Sequence, residues 1–217
     1  MIDASALVDG LALALLAGAL ASVVVRDLIG GVWLLVFQST VLALIAATMA
    51  LASGELHMWL VVVLTVLVRA VIAPALLFRI LRRVELRRET RPLLPTRPAA
   101  VGALGLIVLA FVAGGGLALV DGFPSRNALP VALALTMLGL LLMCTRRKAI
   151  SQVIGLITIE NGIFLAGLSA TLGLPLFVEI GVFFDLLVTL TVLAVFIFRI
   201  NEHFETVNTD TLRELRG

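Results

Sequence analysis

Four ionisable side chains lie inside long apolar stretches of this sequence, where lipid rather than water is the expected surrounding. They are Arg69, Glu160, Glu179 and Asp185, and the neutral Gln38 occupies a similar position. A charged group at the centre of a membrane costs at least about 2.5–3.5 kcal/mol, so it normally faces a partner, a bundle interior or water. Desolvation disfavours the charged form of a carboxyl group, which allows that group to exchange a proton near neutral pH. These residues therefore predict proton transfer within a membrane.

Four of the groups fall at one predicted depth. Counted from the basic end of their stretches, Glu160 and Arg69 are each about 11 residues in, Gln38 about 10 and Asp185 about 13. A helix rises about 1.5 Å per residue, so these positions are roughly 15–20 Å deep, near the mid-plane. The spacing predicts a polar layer formed by Gln38, Arg69, Glu160 and Asp185 on four helices. Glu179 lies outside this layer, in the outer third of its helix.

Two threonines lie four positions from Arg69 and Asp185, on the same helix faces. Thr65 precedes Arg69 and Thr189 follows Asp185 at helical spacing, so we expect both hydroxyls to support the polar layer. Pro74 lacks a backbone donor and disturbs the carbonyl four residues before it, beside Arg69. This predicts a kink where Arg69 and a freed carbonyl could hold water. The alternative is an ordinary kink with an Arg69 that reaches to lipid headgroups.

Small residues on the sixth apolar stretch have a different role. Ser151, Gly155 and Gly162 form a stripe typical of close helix packing, and Glu160 lies about 140° from Gly155 around the helix. We therefore expect Glu160 to face another neighbour, such as a partner protein. The plainer interpretation of each carboxyl is a protonated hydrogen-bond donor between helices. We favour proton relay for Glu160 and Asp185, with Glu179 as an alternative partner.

The elements that must position these residues are membrane-spanning helices. The 217 residues are 61% hydrophobic and 14% charged, with a mean hydropathy of +1.18, which a soluble domain could not cover with polar side chains. Apolar runs of about 20 residues recur along the whole chain. The sequence predicts an all-α integral membrane protein with about seven spans, roughly 5–25, 28–52, 57–80, 99–120, 128–144, 149–172 and 175–198.

Basic residues predict the orientation. If alternate connections face the cytoplasm, 14 of the 16 basic residues lie there: Arg26, seven arginines at 79, 82, 83, 87, 88, 91 and 97, the Arg146–Lys148 run, and Arg199, Arg213 and Arg216. The positive-inside rule then places the N-terminus outside and the C-terminus in the cytoplasm of a cell inner membrane. No basic residue precedes the first apolar run, so we expect a retained helix rather than a signal peptide.

Several other kinds of site find no support in the sequence. The arginine run is typical of a topogenic, lipid-facing loop, and we expect no nucleic-acid partner. The single Cys144 excludes a disulfide framework, and His57 and His203 are expected at opposite faces, so no metal ligand set is visible. Neither phosphate-loop, nucleophile-elbow nor dinucleotide-binding motifs occur. We expect no catalytic residue, metal or cofactor in this chain.

The last part of the chain carries a family resemblance. "QVIGLITIENGIFLAG", "GLPLFVEIGVFFDLLV" and "FRINEHFETVNTDTLREL" resemble the hydrogenase-4 component E family, membrane subunits of formate hydrogenlyase-like and other energy-converting hydrogenase complexes. The first half is similar mainly in helix number and in its arginine-rich loop. The family's last three helices are in turn similar to the K subunit of respiratory complex I and the C subunit of Mrp antiporters.

The resemblance implies a proton-handling module beside antiporter-like membrane subunits and a cytoplasmic hydrogenase-like or formate-oxidising arm. It implies nickel–iron and iron–sulfur centres in those partners and none in this chain. The family's two intramembrane carboxylates correspond to Glu160 and Asp185. The K subunit has a Glu at the second position with a longer spacing, which leaves open whether Asp185 or Glu179 is the partner of Glu160.

The resemblance and the spans together suggest a division of the chain. Residues 1–98 hold three helices and the arginine-rich loop, and residues 99–200 hold four more, with a K-subunit-like unit at about 127–200. Residues 201–217 form a cytoplasmic tail whose Thr211 and Glu214 fit a capping box, and we expect it to dock on a partner. The leading hypothesis is a non-catalytic subunit of a redox-driven proton-translocating complex. The alternatives are a subunit of an Mrp-type cation/proton antiporter and an assembly scaffold.

Overall fold

The computed structural model describes residues 4–54, 56–84, 93–115, 125, 127–170 and 181, and every regular element within them is helical. The elements are α1 (Ala4–Val24), α2 (Leu28–Ser53), α3 (Leu56–Leu64), a π-helical segment (Thr65–Ile72), α4 (Ala73–Val84), α5 (Thr96–Gly115), α6 (Ala128–Thr145) and α7 (Ala149–Ala170). α3, the π-helical segment and α4 follow one another without a break and together form the third span.

Six helical stretches in these residues are long and apolar enough to cross a membrane: Ser5–Val24, Leu28–Ala52, Met58–Arg82, Thr96–Gly115, Ala128–Thr145 and Ile150–Ser169. The chain is therefore an all-α, multi-pass membrane protein, which confirms that part of the prediction. The six correspond to the first six predicted spans. Of the predicted seventh span, 175–198, the structure describes only Gly181, and the predicted tail, 201–217, lies outside the described residues.

Two boundaries differ from those expected from the sequence. α4 continues to Val84, so Arg79 and Arg82 lie on an exposed helical face and not in a loop. The helix continues there because the burial of Ile80 and Leu81 stabilises another helical turn. α5 begins at Thr96, so the division placed between residues 98 and 99 falls inside its first turn.

The third span widens where Pro74 interrupts its hydrogen bonding. Ala73 donates its backbone N–H to the carbonyl of Val68, five residues back, which is the π-helical pattern. Pro74 has no N–H to donate, and its ring would clash with the carbonyl of Ala70 in a regular α-helix. A wider turn relieves that clash. The sequence predicts a kink at this place, and the structure has a π-helical segment there that contains Arg69.

Glycines join α6 and α7 closely. A methyl group added at Gly139 would lie 2.6 Å from the carbonyl oxygen of Gly155, and one added at Gly162 would lie 2.7 Å from the carbonyl oxygen of Ala132. Only hydrogen fits at these backbone-to-backbone contacts. The interpretation of Gly155 and Gly162 as a packing stripe is thereby confirmed. α5 approaches α6 in the same way, with Gly114 against the backbone of Pro130.

One end of the bundle collects three connections that carry basic residues. Arg26 donates its Nε–H to Thr96 Oγ1 at 2.6 Å, and Leu93 donates its backbone N–H to the Thr145 carbonyl at 2.9 Å. The buried Arg146 donates to the carbonyls of Val23 and Val25, at 2.7 and 2.9 Å, and so caps the C-terminal end of α1.

At the opposite end of the bundle, α1 and α6 are joined near their N-termini. Ser125 donates its hydroxyl hydrogen to Asp9 Oδ1 at 2.5 Å and accepts the backbone N–H of Ala128 at 3.1 Å. The Ser125 side chain thus satisfies a donor in the first turn of α6 while it holds the first turns of α1 in place. The two ends of the bundle therefore differ in charge, because arginines cluster only at the first of them among the connections described.

Two apolar clusters divide the interior. The first includes Leu28–Leu35 of α2, Leu77–Leu81 of α4 and Ile150–Ile157 of α7. The second includes Val41–Ala50 of α2, Met58–Val62 of α3 and Phe164–Leu168 of α7, together with α1, α5 and α6. On α2, on the third span and on α7, a gap separates the residues of one cluster from those of the other. Those gaps hold the polar side chains described next.

Candidate polar site

Arg69 lies in the gap on the third span and is buried, with 5% of its surface exposed. Its guanidinium donates from Nη1 to Asn161 Oδ1 at 2.5 Å, and its Cζ lies 4.8 Å from the centroid of the Phe164 ring. Asn161 and Phe164 are three residues apart on α7, so both contacts come from one face of that helix. A hydrogen bond and a cation–π contact thus fix the charge against α7.

The hydrogen bonding continues from Arg69 across the bundle. Asn161 donates from Nδ2 to Gln38 Oε1 at 3.5 Å, and Gln38 donates from Nε2 to Ser22 Oγ at 3.1 Å. Ser22 donates to the carbonyl of Gly18 at 3.0 Å. The side chains of Ser22, Gln38, Asn161 and Arg69 form what we call the polar chain. It joins α1, α2, α7 and the third span. In each of its hydrogen bonds the donor is the residue nearer to Arg69 along the chain of bonds.

The polar chain is shielded from solvent along its length. Gln38 and Asn161 are 0% exposed, and Ser22 is 4% exposed. Aligned hydrogen bonds in a low-dielectric interior polarise and strengthen one another. The 3.5 Å separation between Asn161 and Gln38 is long for a hydrogen bond, so this bond is the weakest link of the four.

Glu160 lies beside Asn161 on α7. The residue as a whole is half-buried, and its Oε1 atom is out of reach of solvent. Arg69 contacts the residue that follows Glu160 and the residue one turn later, so the guanidinium and the carboxyl lie at the same level of the bundle. Gln38, Arg69 and Glu160 therefore share one level between the two apolar clusters, as the sequence predicts. The role of Glu160 in proton transfer stays a prediction.

Thr65 lies in the same gap but turns its hydroxyl elsewhere. It is 3% exposed and donates to the carbonyl of Val61 in its own helix at 2.7 Å. Thr158 of α7 likewise donates to the carbonyl of Ile154 at 2.8 Å. Both buried hydroxyls donate a hydrogen bond to a backbone carbonyl of their own helix, a common arrangement in apolar surroundings. Asp185, Glu179 and Thr189 lie outside the residues that the structure describes.

Sequence reasoning missed two members of the polar chain. The depth argument selects Glu160 and not the adjacent Asn161, although Asn161 makes the hydrogen bond to Arg69. The depth argument does not select Ser22 either, although it is the only polar side chain in the second half of α1. The available signal was their position, since an amide or hydroxyl in an apolar run needs a partner. The sequence did not say which partner.

The described residues offer the site little other chemistry. Among them, no group of three or more His, Cys, Asp or Glu side chains could hold a metal ion. Cys144 is exposed with a free thiol. The arrangement that remains is a buried positive charge, a half-buried glutamate next in sequence to the asparagine that holds this charge, and a line of amides and hydroxyls leading away.

A comparison with curated proteins finds a relative over nearly the whole chain. The chain is 32% identical over 201 residues to a Mycobacterium tuberculosis protein that carries the name Uncharacterized protein Rv0085, and the match covers 91% of each protein. No protein-family model matches the chain, and no solved structure matches it.

Proposed function

We propose that this chain, which belongs to the same family as the Mycobacterium tuberculosis protein Rv0085, is a non-catalytic membrane subunit of a redox-driven, proton-translocating complex similar to hydrogenase-4 and formate hydrogenlyase. It has no active site of its own in this proposal. It supplies mid-membrane groups to a lateral proton pathway and a surface for antiporter-like subunits.

One observation carries the proposal. Arg69 is buried midway along a membrane span and is held by Asn161, the residue next to Glu160. Membrane proteins rarely keep an arginine and a carboxyl at this depth without a functional reason, because each is expensive in lipid. A carboxyl close to a fixed positive charge can take up and release a proton without leaving an isolated charge in the membrane. The resemblance around Glu160 and Asn161 supports the same assignment.

The proposal includes an orientation and partners. We place the arginine-bearing end of the bundle in the cytoplasm, with seven spans, an external N-terminus and a C-terminal tail that docks on a partner. The membrane is the cell inner membrane, and the redox arm binds on its cytoplasmic side. Asp185 or Glu179 on the seventh span would be the next proton carrier after Glu160. Nickel–iron and iron–sulfur centres belong to the partner subunits.

Substitution of Glu160 by Gln tests the proton pathway. Gln keeps the size and hydrogen bonding of Glu but removes proton exchange, so the complex should assemble while its redox-linked proton uptake in inverted membrane vesicles falls. Asp9→Asn is the matched control, because Asp9 bonds to Ser125 at the far end of the bundle. Normal proton uptake by the assembled Glu160→Gln complex would refute the pathway.

Identification of the co-purifying subunits tests the kind of complex. The native complex, isolated through a tag on this chain, should contain antiporter-like subunits together with a hydrogenase-like or formate-oxidising arm. Antiporter-like subunits without any redox arm would favour the Mrp-type alternative. Recovery of the chain alone under mild detergent conditions would contradict both assignments.

A further inference from the structure

A small cavity lies at the corner between α1 and α2, where the polar chain ends. Its polar lining comes from Ser22, Arg26, Asp27, Arg146 and Ser151. The space open to the centres of water molecules is about 10 Å³, which suits roughly one water. A site of this size holds water only if it offers two to four polar partners. The lining supplies hydroxyl, carboxylate and guanidinium groups, so that condition is met.

Ser22 joins this cavity to the interior. Its hydroxyl donates to the Gly18 carbonyl and accepts from Gln38, which leaves one acceptor site on the oxygen for a water in the cavity. Asp27 borders the cavity on its outer side, where its Oδ2 accepts the backbone N–H of Gly30 at 2.8 Å and caps α2. A carboxylate has acceptor capacity beyond this single bond.

Burial increases step by step from the cavity to the middle of the bundle. Arg26 is exposed, Asp27 is half-buried, Ser22 is 4% exposed and Gln38 is 0% exposed. Asn161 lies 12 residues after Ala149 at the start of α7, about 18 Å along the helix axis. The polar chain therefore leads from the arginine-bearing end of the bundle to the level of Glu160.

We propose that the cavity beside Ser22 is the water entrance of the proton pathway, an inference that rests on the proposed function of Glu160. Amide side chains do not carry protons themselves, so water must be the carrier and the amides its lining. Water enters beside Ser22 and follows the polar chain. The long Asn161–Gln38 contact is the point where a water can most easily insert, because a bridging water replaces a weak bond at little cost.

Asp27 supplies the charge that this entrance needs. Arg26 and Arg146 border the same cavity, and their charges oppose the approach of a hydrated proton. Arg146 is committed to the carbonyls of Val23 and Val25, and Arg26 to Thr96. The Asp27 carboxylate is the acidic group among the lining residues. The Asp27 carboxylate accepts a proton from the outside water and releases it to the water in the cavity. The proton then passes along water to the Glu160 carboxylate, with only O–H bonds exchanged.

Thiol accessibility tests the entrance without any redox reaction. In a Cys144→Ser background, Ser22→Cys places the single thiol at the cavity, and Ser39→Cys places it at a buried site on α2 that does not line the cavity. Silver ion, a thiol reagent close to water in size, is added to membranes holding the assembled complex. After denaturation, the thiols that silver did not reach are labelled with a fluorescent maleimide.

We expect silver to block labelling of Ser22→Cys and to leave labelling of Ser39→Cys intact. Equal protection or equal reaction of the two thiols would overturn the entrance. In vesicles, Ser22→Val should lower proton uptake more than Ser22→Ala, since valine fills the cavity while alanine only removes the hydroxyl. Equal losses would mean that Ser22 acts through its hydrogen bonds alone. Normal uptake by Glu160→Gln would refute the proposed function, whereas the silver result reports on the entrance separately.

Discussion

Replacement of Asn161 by Leu tests the structural reasoning at its most connected point. Asn161 is 0% exposed, accepts from Arg69 and donates to Gln38. Leucine has the same branched skeleton of side-chain heavy atoms as asparagine and suits the apolar surroundings, so most of the packing contacts are kept. The substitution removes both hydrogen bonds and leaves the amide of Gln38 and the guanidinium of Arg69 with one partner fewer. The loss of stability should therefore report on the polar chain rather than on a cavity.

The magnitude follows from the two distances. Hydrogen bonds to charged groups contribute about 1.5–3 kcal/mol in proteins generally, whereas side-chain hydrogen bonds measured in a membrane protein average about 0.6 kcal/mol and reach about 1.7. The 2.5 Å bond from Arg69 has an ionised donor, so we assign it about 1.5 kcal/mol. We assign about 0.5 kcal/mol to the 3.5 Å bond between Asn161 and Gln38. Asn161→Leu should cost about 2 kcal/mol in the free energy of unfolding.

Reversible unfolding of the purified chain in mixed micelles measures this free energy. Thr158→Val is the matched control, because Thr158 is equally buried on the same helix but bonds only within it, and we expect it to cost well under 1 kcal/mol. In a double-mutant cycle, Asn161→Leu and Arg69→Met should couple by about 1.5 kcal/mol, and Asn161→Leu and Gln38→Leu by about 0.5. A cost for Asn161→Leu no larger than that of Thr158→Val, or a zero coupling with Arg69, would refute the polar chain.

Two further predictions concern the backbone that positions the chain. Gly139→Ala should destabilise the bundle by about 1–3 kcal/mol, because its methyl would meet the backbone of α7 at 2.6 and 2.8 Å; Gly105→Ala, with nothing within 4 Å, is the control and should be neutral or stabilising. Pro74→Ala restores a backbone donor and should favour a regular α-helix, which rotates Arg69 away from α7. The coupling between Arg69 and Asn161 should then fall in the unfolding cycle, and an unchanged coupling would contradict the role of Pro74.

The level of the polar side chains could be predicted from the sequence. Gln38, Arg69 and Glu160 lie near the middle of apolar runs, and the rise of a helix converts residue number into depth. Since spans cross one bilayer, equal depth on different helices follows from length alone. The glycine stripe at Gly155 and Gly162 could also be predicted from the sequence, because helical spacing brings both glycines to one side of the helix.

The partners of these side chains could not be predicted in the same way. Depth does not specify how each helix is rotated about its axis, and that rotation decides whether Arg69 meets Glu160, Asn161 or Gln38. In this structure the rotation depends on the glycine contacts between α6 and α7 and on the π-helical segment before Pro74. Helical spacing from Thr65 to Arg69 places both on one face, but it does not specify that the Thr65 hydroxyl bonds to the Val61 carbonyl of its own helix.

The choice of arginine for the third span follows from the geometry of its surroundings. A guanidinium keeps its charge, lies flat against an aromatic ring and still donates from its edge, whereas an ammonium group offers a single point of charge. Arg69 uses both properties at once, with Cζ over the Phe164 ring, 4.8 Å from its centroid, and Nη1 donating to Asn161. Both contacts come from α7, so the charge is fixed relative to the helix that carries Glu160. A change in the protonation of Glu160 would therefore take place on the helix that holds this charge, and α7 is in turn joined to α6 through its glycines.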